Sequence, residues 1–484
     1  MSTFPAPVYA ETVLAHNFRD AQRFFLEALL EVHYAHTLML ARQSIIPLDS
    51  ARACIAGLNA LDREELRSAR YTGQYEDLFF FIESRLDALA GTHASRMHTA
   101  RSRNDICIAL YRMRARQEAL DVTRAVSALR GVLLGLAHQH ARALMPAYTH
   151  TQPAQPTTLG HYLMAFVEAL GRDVTRLQAA FATINRCPLG ACAITTTGFP
   201  IDRDFIAGAL AFEGLQLNSY GAIAATDYLT ELAGAVATAM ANLGKFVQDL
   251  LLWCNPTLGF LRLTDAWVQI SSIMPQKRNP VPLEHTRILA SRALAEAQGV
   301  FTCVHNTPFG DINDSEDDIQ PLVFTMTANA QRALRLLAGV LSDCEFNTAR
   351  MAELAAADFL TVTELADTLV RREDLSFRDA HHLVSQAVRA LHGHYTPAAM
   401  AAATAELAPQ VIGRPLRLTL PELLAALDPQ AFVDIRTIPG GPGALGTAFE
   451  EAEAQQQDVQ RWIDGKSALL DGYFPALQKA CSLI

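Results

Sequence analysis

The chain has no run of about 20 uncharged apolar residues, so no membrane-spanning helix is expected. Met1–Asp20 contains Glu11 and Asp20 and lacks a basic segment followed by an apolar one, so a secretory leader is not expected either. The eight cysteines, at 54, 107, 187, 192, 254, 303, 344 and 481, include no C-x-x-C pair. Most sit in apolar surroundings, as Cys107 does between Ile106 and Ile108. That favours reduced core thiols in a cytoplasmic protein over a disulfide framework or a metal site. No basic stripe is present and the net charge is −10, which argues against nucleic acid as the main partner. An anionic small-molecule substrate stays compatible, because a small site can be locally positive. Alternating strand patterns are scarce, and no internal repeat is found.

What the chain does have is helical periodicity. Its 484 residues, half of them hydrophobic, are enough to bury large cores in more than one domain. From Thr226 to Trp253, Leu229, Leu232, Val236, Met240, Leu243, Phe246, Val247 and Leu250 recur at steps of three and four. The spacing predicts a helix of about 28 residues, roughly 40 Å long. Similar long segments run over about Ile106–Arg142, Glu284–Cys303 and Val323–Ser342. The expected fold is all-α with three helical domains: 1–105, 106–355 with the long-helix bundle, and 356–484 with shorter helices again. Helices with such broad apolar faces need partners, some from a bundle and the rest from an oligomer. Prolines and glycines mark loops at Met145–Pro156, Pro188–Pro200, Ser271–Pro282 and Pro439–Gly443.

Three polar clusters interrupt this apolar pattern, each at the edge of a predicted long helix. They are His98-Thr-Ala-Arg-Ser-Arg-Asn-Asp105, Tyr148-Thr-His-Thr-Gln152 and Ser271-Ser-Ile-Met-Pro-Gln-Lys-Arg-Asn-Pro280. Free N–H groups and the helix dipole make a helix N-terminus an anion site. Ser102, Arg103 and Asn104 can grip a carboxylate in that way, the arginine bidentately. For any one cluster alone, helix capping plus a solvated arginine is the simpler reading.

Together the clusters resemble the signature regions of the fumarase/aspartase/argininosuccinate lyase superfamily. Ser271–Pro280 matches its pattern G-S-S-x-M-P-x-K-x-N at every position but the first, where Ile270 replaces Gly. The other two clusters follow in the family order and resemble the argininosuccinate lyase branch. Glu76–Glu83, Pro188–Gly190, Leu217–Ser219, Thr363–Asp367 and Phe377–His381 agree as well, so the likeness spans roughly residues 30 to 445.

The resemblance implies a homotetramer with a central core of about twenty long helices and sites assembled from three subunits. It implies reversible anti β-elimination of an amine from an N-substituted aspartate, with release of fumarate and no metal or cofactor. Ser271 matches the family base, and a serine needs activation for that role; Lys277 and N–H donors in its loop are the expected source. His150 matches the histidine that is the general acid or the organiser of a water acting as one, with Glu284 as the carboxylate that orients it. Ser102, Arg103, Asn104, Thr149, Lys277 and Asn279 match positions that hold the carboxylates, and Gln152 is placed with them. Catalytically silent lens relatives belong to the same family, as do lyases for adenylosuccinate and aspartate.

Several departures fall on the leaving-amine side. A family Tyr-Asn-x-Asp-Leu-Gln-Glu-Asp-Lys stretch corresponds to Phe309–Asp318, without its Tyr, Gln and Lys. His33 stands for a serine, Thr226 for an arginine and Phe79 for a histidine. Five acids lie between Asp311 and Asp318. They suit a cationic amine, or else they cap the following helix. The amine is therefore not restricted to arginine, and ethylenediamine-disuccinate is a second substrate of the right form.

Overall fold

The computed structural model describes residues 4–484. Its fold is all-α. The main helices are α1 (Leu26–Arg42), α2 (Arg103–Gln139), α3 (Leu159–Ile184), α4 (Asp227–Trp253), α5 (Val281–Val304), α6 (Gln320–Ser342) and α7 (Leu445–Cys481). Three two-stranded antiparallel pairs join their ends: β1 (Leu144–Thr149) with β2 (Gln152–Thr158), β3 (Leu261–Leu263) with β6 (Cys344–Phe346), and β4 (Gln269–Ile270) with β5 (Arg278–Asn279). No helix among the described residues is long and apolar enough to cross a membrane.

The apolar stripe of α4 sits in the core as its spacing requires. Leu229, Leu232, Val236, Leu243, Val247 and Leu250 are all fully buried. Four helices lie within a few residues of the expected spans. Two long ones were not anticipated, α3 and α7. In α3, Leu163, Val167, Leu170, Val174, Leu177 and Phe181 carry the same spacing, hidden between two proline-rich loops. The expectation of only shorter helices over 356–484 is corrected by α7, which runs for 37 residues through Pro475. Its buried residues, Leu445, Phe449, Val459, Ile463 and Leu477, join the main hydrophobic core with α2 and α3. A separate apolar cluster has its buried members between Leu365 and Leu427, with Phe359 and Val362 packed against it.

Arg130 on α2 clamps α7 to the bundle. It donates to Val167 O (3.2 Å), Ala452 O (3.0 Å), Gln456 Oε1 (2.7 Å) and Gln455 Oε1 (2.8 Å). The helices approach closely at this junction: a Cβ on Gly171 would lie 2.6 Å from Gln455 Oε1, so the Gln455 side chain would have to shift away from Arg130. Burial lowers the Arg130 pKa, and its charge is met by carbonyl dipoles. Arg130→Met should cost about 3 kcal/mol, because it strands several buried acceptors. Thermal unfolding checks this, and an unchanged midpoint would contradict the clamp.

Candidate active site

The first polar cluster forms the start of α2. Ser102 is the N-cap, in extended conformation, and forms a capping box with Asp105. Its hydroxyl donates to Asn104 Oδ1 at 2.8 Å, and Asn104 Nδ2 donates to Ala193 O at 3.2 Å. Asp105 is fully buried, accepting Ser102 N–H at 3.0 Å through Oδ1. Its Oδ2 accepts Gly190 N–H at 2.9 Å and Cys192 N–H at 3.0 Å. The Pro188–Gly190 turn is thereby docked against the helix start. Gly190 has φ +87, and a Cβ there would strike Arg203 Cγ at 2.6 Å. Arg103 is held by Glu76 Oε1 at 3.1 Å and Asp77 Oδ2 at 2.7 Å.

The acidic stretch gathers at the same place. Residues 313–319 make two single 3₁₀ turns, Asn313–Ser315 and Asp317–Ile319, before α6. The N-cap of α6 is Ile319, with no side-chain cap and no acid in the first turn, so helix capping does not account for the acids. Instead Asp317 Oδ1 accepts from the Tyr111 hydroxyl of α2 at 2.5 Å. Burial and then the neighbouring Asp311 push the Glu316 carboxyl up to about 8, while Arg103 pulls the other way. Burial likewise raises Asp317, against the hydrogen bond from Tyr111.

The second cluster is the tip of the β1–β2 hairpin, a segment expected to be a loop. Thr149 pairs with Gln152, and His150 and Thr151 between them have φ of 52° and 61°. A two-residue turn with both φ positive matches the right-handed twist of its strands. Thr149, His150, Thr151 and Gln152 are all exposed.

The third cluster is the tip of the β4–β5 hairpin. Gln269 pairs with Asn279 and Ile270 with Arg278, so the residue replacing the family glycine is simply part of a strand. Ser271 Oγ accepts N–H bonds from Ile273 (3.3 Å) and Met274 (3.0 Å). Lys277 and Asn279 line a cleft of about 530 Å³ together with Arg262 and Arg278. Arg278 is tied to Asp265 at 2.6 Å, and Asn279 Nδ2 donates to Gln269 O at 3.0 Å. Glu284 is exposed in the first turn of α5.

Within one chain, then, Ser102, Arg103 and Asn104 come together with the acidic stretch. His150 with Thr149 and Gln152, and Ser271 with Lys277, Asn279 and Glu284, form two other groups. No hydrogen bond among the described residues links the three. No group of His, Cys, Asp or Glu set to hold a metal ion occurs among the described residues. Sequence reasoning missed the ion pairs of Arg103 with Glu76 and Asp77, and the buried role of Asp105. The signal for the latter was an acid three residues after a serine at a helix start, the capping-box pattern.

Burial outweighs the three N–H bonds and raises the Asp105 carboxyl to about 6. Between the ordinary carboxylate range and that value, the folded state keeps the proton and the unfolded chain has lost it. This group's contribution to stability therefore falls as pH rises through the window. The stability advantage of wild type over Asp105→Asn should shrink by about 3 kcal/mol from roughly pH 4 to pH 7. Thermal unfolding at several pH values reads it, and a constant difference would contradict the buried state.

The comparisons with known proteins agree with this architecture. A family model described as Lyase matches residues 82–295, and one described as Argininosuccinate lyase C-terminal matches residues 359–434. Argininosuccinate lyase 2 of Agrobacterium fabrum is 40% identical over 502 residues, covering 99% of this chain and 98% of that protein. The argininosuccinate lyase of Methanoculleus marisnigri is 36% identical over 462 residues, covering 95% and 93%. Among solved structures, EDDS lyase in complex with formate superposes with a TM-score of 0.86 at 28% identity, covering 98% of this chain and 96% of that one. The recombinant class II fumarase of Schistosoma mansoni, 16% identical with a TM-score of 0.67 over 84% of this chain and 90% of that one, shares the fold. With relatives this similar over nearly its whole length, the chain belongs to the argininosuccinate lyase family of carbon–nitrogen lyases.

Proposed function

We propose that this member of the family eliminates a cationic amine from an N-substituted L-aspartate and releases fumarate, reversibly and in the anti sense. The observation that carries the reading is the crowding of Asp311, Glu316 and Asp317 beside Arg103, Ser102 and Asn104. Carboxylate-binding groups thereby stand next to crowded acids whose raised Glu316 carboxyl an arriving cation would ionise, as the two halves of an N-succinyl amine require. Argininosuccinate and ethylenediamine-disuccinate both have this form. The solved EDDS lyase structures support the second, including a variant with bound fumarate.

In this reading the Ser271 alkoxide takes the proton from the carbon next to a carboxylate. That pair of electrons forms the double bond, the C–N bond breaks, and its electrons leave with the nitrogen, which receives a proton from His150. The difficult species carries two charges on one carboxylate, so donors placed in advance matter most. Ser102, Arg103, Asn104, Thr149, Gln152 and Asn279 supply them. The N–H groups of Ile273 and Met274, already directed at Ser271 Oγ, and the Lys277 ammonium stabilise the alkoxide. Glu284 orients the His150 ring. Arg103 exchanges Glu76 and Asp77 for the substrate carboxylate.

The separation of the three groups in one chain supports a homotetramer with shared sites, and the scattered, reduced cysteines suit the cytoplasm. Leu252, Ile288 and Phe301 are about half exposed on α4 and α5, the apolar surface such an assembly covers. The bundle core would then hold about twenty long helices.

Fumarate absorbance should rise when the protein is offered argininosuccinate or ethylenediamine-disuccinate, and not with aspartate or adenylosuccinate. Absence of fumarate from all four, with no amine addition in reverse, would overturn the reading. Ser271→Ala should lower kcat at least about a hundredfold with the fold intact. Mixing Ser271→Ala with His150→Ala subunits should restore part of the activity, and no recovery after exchange would count against shared sites.

A further inference from the structure

Behind the Ser102–Asn104 turn lies a buried basic cluster that the chemistry above does not use. Arg101, the residue before the α2 cap, has a side chain 1% exposed. Its Nη1 lies 3.0 Å from Nδ1 of His33 on α1. A guanidinium only donates, so Nδ1 accepts and the imidazole proton sits on Nε2. Glu83, the one carboxylate within ion-pair reach of Arg101 among the described residues, stands 3.7 Å from Nη2, too far for a hydrogen bond. Nε and Nη2 of Arg101, Nε2 of His33 and Oγ1 of Thr37 have no hydrogen-bond partner among the described residues. Phe79 provides another wall, its ring 5.6 Å from the guanidinium carbon and 5.8 Å from the His33 ring. Asp105 also acts on Arg101, but both its oxygens are taken by backbone N–H groups.

The cluster is charged. Burial holds His33 well below the ordinary imidazole range, so it is neutral. Burial lowers Arg101 only to about 10, so it keeps its proton at neutral pH. A guanidinium whose hydrogen-bond partner is neutral, and whose nearest carboxylate stands 3.7 Å away without a hydrogen bond, costs stability. Its field is weakly screened, because the charge is out of water. One residue further along the chain is Ser102, where the substrate carboxylates are placed.

We propose that Arg101 is a buried source of positive potential for the substrate carboxylates at Ser102–Asn104. His33 is its positioning residue, fixing the guanidinium through an acceptor that does not cancel its charge. This rests on the lyase reading above and adds to it a determinant of dicarboxylate affinity that touches no substrate atom. It also gives a physical reason for a neutral ring at position 33: an acid there would hold Arg101 equally well and abolish the field.

His33→Asn and His33→Asp test this, because they match in size, both offer an oxygen to Arg101, and differ in charge. KM for the N-succinyl amine should stay within about threefold of wild type in His33→Asn and rise about tenfold or more in His33→Asp, with kcat similar in both. Equal KM values in the two variants would overturn the proposal, since a purely structural role does not distinguish them. Should either fail to fold, Glu83→Gln decides: loss of this partial counter-charge should lower KM, and an unchanged or higher KM overturns the proposal. Fumarate binding by calorimetry on the same proteins separates the two readings. A wild type that yields no product yet binds fumarate, more weakly in His33→Asp or more tightly in Glu83→Gln, loses the lyase reading and keeps this one. The absence of that order refutes the proposal.

Discussion

The start of α2 depends on one buried carboxylate. Asp105 collects the N–H groups of Ser102, Gly190 and Cys192, and so joins the first turn of the bundle's 37-residue helix to a turn more than 80 residues later. An N-cap leaves N–H groups unsatisfied unless something accepts them. Here the acceptor is shared between the cap and a second segment, so the orientation of Ser102, Arg103 and Asn104 is set by the bundle rather than by local loop preference. Burial raises the acid's pKa, the expected cost of placing a charge where it can serve three donors at once.

Rigidity and exposure are divided along the chain. The groups assigned to carboxylate binding at α2 sit on a buried platform backed by Arg101, His33 and His36, whose Nε2 lies 2.8 Å from Thr99 O. The groups assigned to proton transfer, Ser271 and His150, sit on exposed hairpin tips with few side-chain contacts in their own chain. This division suits a site in which positioning precedes closure. In the proposed reaction the platform would hold the charged ends of the substrate, and the tips would reach the carbon and nitrogen between them.

Much of this was legible in the residues alone. Steps of three and four at Leu229 to Leu250 identified α4, and the Ser271–Pro280 pattern located the third cluster. α7 was not legible, because its buried stripe is narrow and Gly465, Gly472 and Pro475 interrupt its pattern. The β1–β2 hairpin was hidden by Pro146, Pro153 and Pro156, which read as loop and are tolerated in a two-stranded ribbon with free edges. The acids of 311–318 allowed two readings. Local spacing could not choose, since Tyr111 lies about two hundred residues earlier in the chain. Arg101 gave no signal beyond its place in a polar cluster, because burial of a charge is a property of the packed elements around it.

The central claim is that one substrate is held by three clusters that a single chain keeps apart. A crystal structure of the assembled protein with fumarate bound tests it most directly. The account predicts fumarate between Ser102–Asn104 of one subunit, Thr149 and His150 of a second, and the Ser271–Asn279 hairpin of a third. Fumarate held by residues of one chain alone, or bound away from these clusters, would contradict it.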